Sequence, residues 1–205
     1  LDEDGYGGLL KSRLRGQRVS SKNLALGLNT MPADFINAYV LGSVGATGSS
    51  TGACATFLYN LRQGIQDIRS GKFRAVIIGS SEAPLTPEVI EGYRTMGALA
   101  EDDALAKMGP LNHQLACRPF GDNCGFTLAE ASQFLILFDD ELAMEMGANI
   151  YGSVADVFIN ADGFKKSIPG PGIGNYITVG KAMGTIKSML GDQALQQNTY
   201  MQAHG

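Results

Sequence analysis

Residues 49–71 read SSTGACATFLYNLRQGIQDIRSG, and this stretch decides the fold class. Its first residues are small, a composition that suits a tight turn. From Ala55 the pattern changes, and Leu58, Leu61, Ile65 and Ile68 fall on one helical face. Gly71 supplies a stop signal, so the spacing predicts a helix from about Ala55 to Arg69. Directly after it, Phe73-Arg74-Ala75-Val76-Ile77-Ile78-Gly79 is a short apolar run rich in β-branched residues, expected as a buried strand. A small-residue turn, an amphipathic helix and a buried strand in succession point to an α/β fold.

The flanking sequence extends that pattern. Residues 1–30 mix charge, glycine and serine and are expected as an irregular lead-in to a domain over 31–205. Met31-Pro32-Ala33-Asp34 opens a helix, with Phe35, Ile36, Tyr39 and Val40 at helical spacing. A short helical stretch is expected before Met96-Gly97-Ala98-Leu99, and residues 100–125 are turn-rich and expected to be irregular. Phe134 to Leu137 is expected as a second buried strand, Asp140 to Met146 as a helix ended by Gly147, and Ile150 to Phe158 as a third strand. A helix over Thr178 to Leu190 follows, and Asn198 to Ala203 is expected as a strand with His204 at its end.

Composition narrows the function classes. Apolar residues make up 44% and charged residues 18%, enough hydrophobic content for a packed core and too little charge for a disordered chain. A net charge of −4 argues against nucleic-acid binding, which needs a basic surface. No run of about 18 apolar residues is present, so no membrane-spanning helix is expected. The N-terminus begins with acidic residues and lacks an apolar core, so no signal peptide is read there. Three cysteines without metal-ligand spacing fit a reduced, cytoplasmic protein, although Cys117 and Cys124 are near enough in sequence to pair. The Pro169-Gly170-Pro171-Gly172-Ile173-Gly174 segment lacks the G-x-G-x-x-G spacing of a dinucleotide fingerprint and reads as a turn-forming loop.

The same opening stretch carries the chemistry. Cys54 sits at the start of the predicted helix, where unpaired N–H groups and the helix dipole favour a thiolate. Gly52, Ala53 and Ala55 leave room for a carbonyl to approach the sulfur, and the amides of the turn are natural oxyanion donors. Two roles fit this position: an acyl-accepting nucleophile, or a small apolar side chain packed beneath a helix. His204, beyond a predicted strand, is either a site residue at the strand's C-terminal end or a solvated terminal histidine. His113, in a polar loop, reads as a surface residue.

These residues carry a family resemblance. Ser50-Thr51-Gly52-Ala53-Cys54-Ala55-Thr56 resembles the active-site cysteine segment of β-ketoacyl synthases, T-A-C-A/S-S/T. Gly92 to Leu99, GYRTMGAL, is similar to the family's segment ending in M-G-A-L. Cys117-Arg118-Pro119-Phe120, with Gly125-Phe126 and Ala129-Glu130, resembles its R-P-F-D…D-G-F…G-E-G-A stretch. Asp162 to Pro169 falls where the family has D-A-Y-H-M-T-A-P, and Gln202-Ala203-His204-Gly205 is similar to the start of A-H-G-T-x-T. The matches keep the family's order and span about residues 31–205.

The resemblance implies a thiolase-like layered α-β-α architecture, of which this chain holds part of the duplicated fold. It implies that Cys54 accepts the acyl group and that His204 is the first of a pair of histidines acting on a malonyl thioester. It places Phe126 near the malonyl group and Ser167 where a hydroxyl meets the phosphopantetheine arm; from the residues alone these read equally as a core phenylalanine and a turn serine. The implied reaction is a decarboxylative condensation of fatty-acid or polyketide synthesis, with no metal or organic cofactor. The implied partners are an acyl carrier protein, for which Lys165 and Lys166 offer basic charge, or acyl-CoA, and a second copy of the chain. A non-catalytic ketosynthase-like partner subunit is the alternative from another class. The sequence departs from the family at Cys124, Ala131-Ser132-Gln133 and Lys165-Lys166, which leaves substrate details open. The family's first strand, second histidine, lysine and glycine-rich loop have no counterpart within these residues.

Overall fold

The computed structural model describes residues 6–163 and 172–204. Helices α1 (Tyr6–Leu14), α2 (Lys22–Ala25) and α3 (Met31–Ile36) come first, and α3 runs on into a π turn over Asn37–Leu41. A 3₁₀ turn, Ala53–Ala55, leads into α4 (Thr56–Arg69), followed by strand β1 (Ala75–Glu82) and helices α5 (Pro87–Thr95) and α6 (Asp102–Lys107). Strand β2 (Ala131–Phe138), α7 (Asp140–Glu145) and the long α8 (Ile173–Gln197) complete the order. The chain divides into two compact units: one holds residues 1–49, 81–132 and 202–205, the other 50–80 and 133–201.

The core of the second unit is the seat of α4 on β1. Leu61 and Ile65, one helical turn apart, are buried with Ile78 of β1, and Phe57, Val76, Leu137 and Val157 pack around them. Gly64 lies between Leu61 and Ile65 on the same face. A Cβ at Gly64 would collide with Ile78 Cδ1 and lie 3.3 Å from Val76 Cγ1, so the missing side chain is what lets helix and strand approach. At the helix end Gly71 is left-handed (φ 72°). There the amide of Gly71 donates to Ile68 O (2.9 Å) and that of Lys72 to Asp67 O (3.0 Å), the paired bonds of a Schellman cap. Gly147 (φ 59°) closes α7 in the same way.

β1 pairs with β2 in a two-stranded sheet. The Asp139 amide donates to Arg74 O (2.9 Å), while Gly79 lies against Phe134, so residue numbers rise on one strand as they fall on the other and the pair is antiparallel. Asp139 joins this sheet to α7: its side chain caps the helix by accepting from the Leu142 amide (2.6 Å) and pairs with Arg74 (Nε–Oδ2 2.8 Å). Glu145 and Glu141 approach the same guanidinium at 3.3 and 3.6 Å. The Arg74 guanidinium and then the Leu142 amide hold the Asp139 carboxyl below its ordinary range, and Asp139 and Glu145 raise that of Arg74.

Several expectations are corrected. Within the lead-in expected to be irregular, α1 and α2 form among the described residues, and α6 forms within 100–125. α8 begins earlier than the expected Thr178, at Ile173; its first helical segment ends at Leu190 as expected, where Gly191 (φ 85°, ψ 171°) breaks it before a further segment to Gln197. The strand expected at Phe134–Leu137 is present but not buried: Leu135 is 50% and Ile136 58% exposed. Residues 150–158 and 198–203 form no ladder among the described residues. β-Branched character marks a segment that suits a sheet, but the hydrogen bonds must come from a neighbouring strand. The apolar faces are correspondingly open.

Two outcomes test this packing. Gly64→Ala lowers stability by about 1–3 kcal/mol through overpacking, and in a double-mutant cycle Ile78→Val returns part of that loss; denaturant unfolding measures both. Because the native Asp139 carboxyl is depressed, its stabilisation is complete above the unfolded value of about 3.9 and is lost as pH falls through the lower native value. Asp139→Asn therefore unfolds at lower temperature than wild type at neutral pH, and the gap closes in acid.

Candidate active site

Cys54 occupies the middle of the 3₁₀ turn that delivers the chain into α4, and it is exposed. The preceding residue, Ala53, has φ 48°, a left-handed conformation that costs a residue with a Cβ roughly 1–3 kcal/mol and persists only where its surroundings impose it. Those surroundings are the first turns of α4. The Gly52 amide donates to Thr56 Oγ1 (2.9 Å). The Ser50 amide donates to Asn60 Oδ1 (2.8 Å), and Asn60 Nδ2 returns a bond to Ser50 O (3.4 Å). The ring of Tyr59 lies where a Cβ on Gly52 would be, 2.6 Å from that position. Gly52 is thus a glycine because Tyr59 fills its side-chain space; its own φ, −150°, is open to any residue.

The turn's amides are mostly engaged. Gly52 donates to Thr56 Oγ1, Ala55 to Gly52 O (2.9 Å), and Thr56 to Ala53 O. Among the described residues, the adjacent amides of Ala53 and Cys54 have no acceptor. A thiol and a backbone N–H offered by the same residue are the pair an acyl-transfer centre needs, nucleophile and oxyanion donor.

In the first unit, two motif segments meet. Gly125 is at φ 146°, and a Cβ there would sit 2.5 Å from the Leu99 carbonyl carbon and 2.6 Å from the Ala100 amide. That close approach lets the Phe126 amide donate to Ala98 O (2.9 Å) and the Ala100 amide to Phe126 O (3.0 Å), a parallel bridge between Leu99 and Phe126. The half-buried Phe126 ring meets Tyr93 edge-on, with centroids 5.3 Å apart. Cys117, Arg118, Pro119, Asn123, Gly125 and Phe126 line a shallow concavity of about 180 Å³. The segments GYRTMGAL and CGF, distant in sequence, therefore build one substructure.

Phe126 and His204 belong to the first unit and Cys54 to the second. His204 is exposed. Ser167, Lys165, Lys166 and residues 169–171 of the proline-glycine segment lie outside the described residues. His113 is exposed, and its Nε2 meets Asp102 Oδ1 at 3.0 Å. Cys117 and Cys124 are free thiols rather than a disulfide. Thr56, Tyr59 and Asn60 escaped the sequence reading. Their spacing, i, i+3 and i+4 on a face other than that of Leu61 and Ile65, was the available signal.

Residues 5–143 match the family model for the β-ketoacyl synthase N-terminal domain. The chain is 59% identical to the β-ketoacyl-[acyl-carrier-protein] synthase FabY of Pseudomonas aeruginosa over 100% of its own length and 33% of that protein. It is 30% identical to 3-oxoacyl-[acyl-carrier-protein] synthase 2 of Staphylococcus aureus over 64% of its length and 31% of that protein. The crystal structure of the ketosynthase FabY from P. aeruginosa superposes with a TM-score of 0.91 at 60% identity, over 96% of this chain and 31% of that one. A chain in the structure of a type II polyketide synthase acyl-carrier protein in complex with its ketosynthase superposes at 0.58 with 27% identity, over 68% of this chain and 34% of that one. The chain spans about a third of the length of the curated relatives it matches. Its helices and antiparallel strand pair are part of a thiolase-like α/β fold. By its sequence and by its backbone, this chain belongs to the β-ketoacyl synthase family.

Proposed function

We propose that this chain carries the acyl-loading centre of a β-ketoacyl-[acyl carrier protein] synthase, with Cys54 as the nucleophile. The observation that carries the reading is the Cys54 turn: an exposed thiol at the head of α4, next to the strained Ala53, with the Cys54 amide unengaged among the described residues. The Cys54 thiolate attacks the carbonyl carbon of an acyl thioester, and the Cys54 amide stabilises the oxyanion that forms. The carrier thiolate then leaves, and the acyl group is held as a thioester on Cys54.

In the second half-reaction a malonyl thioester loses CO₂, and the electrons of the broken C–C bond become an enolate. The imidazole N–H of His204 donates to the thioester oxygen on which that negative charge develops. Enolate attack on the Cys54 thioester forms the new C–C bond and releases the Cys54 thiolate with a β-ketoacyl product on the carrier. Phe126, held by Tyr93 and the Leu99 bridge, shields the malonyl group from water, and Ser167 hydrogen-bonds the phosphopantetheine arm. The partner is an acyl carrier protein and the working form a homodimer. Support for the carrier comes from the similarity to FabY, a β-ketoacyl-[acyl-carrier-protein] synthase, and to the type II polyketide ketosynthase solved in complex with its acyl-carrier protein. Nothing in these steps calls for a metal or organic cofactor.

Intact-mass measurement after incubation with acyl thioesters tests the assignment. Wild type gains one acyl group, and Cys54→Ala gains none. His204→Ala still loads Cys54 but condenses at least ~100-fold more slowly, the scale of a lost hydrogen-bond donor to a developing oxyanion. Acyl uptake by Cys54→Ala would refute the reading.

A further inference from the structure

Three side chains of α4 reach back onto the loop that precedes Cys54. Thr56, Tyr59 and Asn60 share one face at i, i+3 and i+4, and helical side chains lean toward the N-terminus, so this face overhangs the entering chain. Each makes a different contact: Thr56 Oγ1 takes the Gly52 amide at 2.9 Å, and Tyr59 fills the space over Gly52. Asn60 brackets Ser50, accepting from its amide at 2.8 Å and donating to its carbonyl at 3.4 Å. Residues 50 and 52 are thereby fixed relative to the helix, and Ala53, the next residue, is the one driven to φ 48°.

We propose that Asn60 and Thr56 are positioning residues for acyl transfer, clamping Ser50 and Gly52 so that the strained Ala53 presents the thiol and amide of Cys54 together to a thioester carbonyl. The inference rests on the reading of Cys54 as acyl acceptor and adds two residues that touch neither substrate nor sulfur in this role. The chemical reason is geometric. Attack needs the sulfur near one face of the carbonyl carbon while the amide meets the oxygen, and a displacement of about 1 Å in such an arrangement costs on the order of 100-fold. A small alkylating reagent has no such demand, because it needs access to the sulfur and no oxyanion donor.

The test compares both reactions in the same variants of the protein. Asn60→Ala and Thr56→Val are expected to lower kcat for acyl transfer to Cys54 by ~10- to 100-fold, with KM for the acyl thioester and the rate of Cys54 alkylation by iodoacetamide each within about threefold of wild type. Thr56→Ser, which keeps the hydroxyl, is expected to restore the rate. The proposal is overturned if transfer and alkylation fall in parallel, or if transfer is unchanged. It is also overturned if Thr56→Ser is as slow as Thr56→Val while remaining folded by circular dichroism. Should Asn60→Ala not fold, the Thr56 pair decides the matter alone. A parallel Cys54→Ala control separates the two levels: acyl uptake by that variant would remove the nucleophile assignment itself, whatever the clamp does.

Discussion

The contact between Gly64 of α4 and Ile78 of β1 is the constraint on which the second unit depends. A helix can lie this close to a strand only where it presents no side chain at the crossing. Leu61 and Ile65 then close on either side of that point, and Phe57, Val76, Leu137 and Val157 complete a small apolar core. With α4 fixed on β1, the direction of its first turn is fixed too, and so is the place where Cys54 enters the helix. The chemistry at the helix head is in this sense a consequence of packing two turns further along.

Strain and support at the cysteine turn are two sides of one arrangement. Ala53 alone in a free peptide would leave the left-handed region. It stays there because the residues before it are held by Thr56, Tyr59 and Asn60, and the residues after it are already helical. With the Gly52, Ala55 and Thr56 amides engaged within the turn, the amides of Ala53 and Cys54 are the ones without an acceptor among the described residues. A loop of small residues with no such clamp would offer the same atoms without fixing their mutual geometry.

How much of this the sequence disclosed follows from the range of the interactions. The α4 helix, its Gly71 stop and the α7 helix with Gly147 were legible because they are set by residues within one or two turns. The strands expected at 150–158 and 198–203 were misread because apolar, β-branched composition does not supply a pairing partner. α1 was missed because its glycines and weakly sided pattern hide a helix. For β2, composition gave the strand but not its burial, which depends on what covers Leu135 and Ile136. Cys54 stood out by its place before α4, and the family motifs pointed to Phe126. The bracket from Asn60 to Ser50 and the ring of Tyr59 over Gly52 are visible only in three dimensions.

The central claim is that the acyl group goes to Cys54 because of where that thiol sits, and the other cysteines supply an internal control. Cys117 and Cys54 are both exposed, and Cys124 is partly exposed; neither Cys117 nor Cys124 precedes a helix that clamps its turn. The most direct measurement is peptide mapping of the protein after brief exposure to an acyl-carrier thioester. The account predicts the acyl group on the tryptic peptide 23–62, which holds Cys54 as its single cysteine. Acylation of Cys117 or Cys124 in its place, or spread evenly over all three, would contradict it.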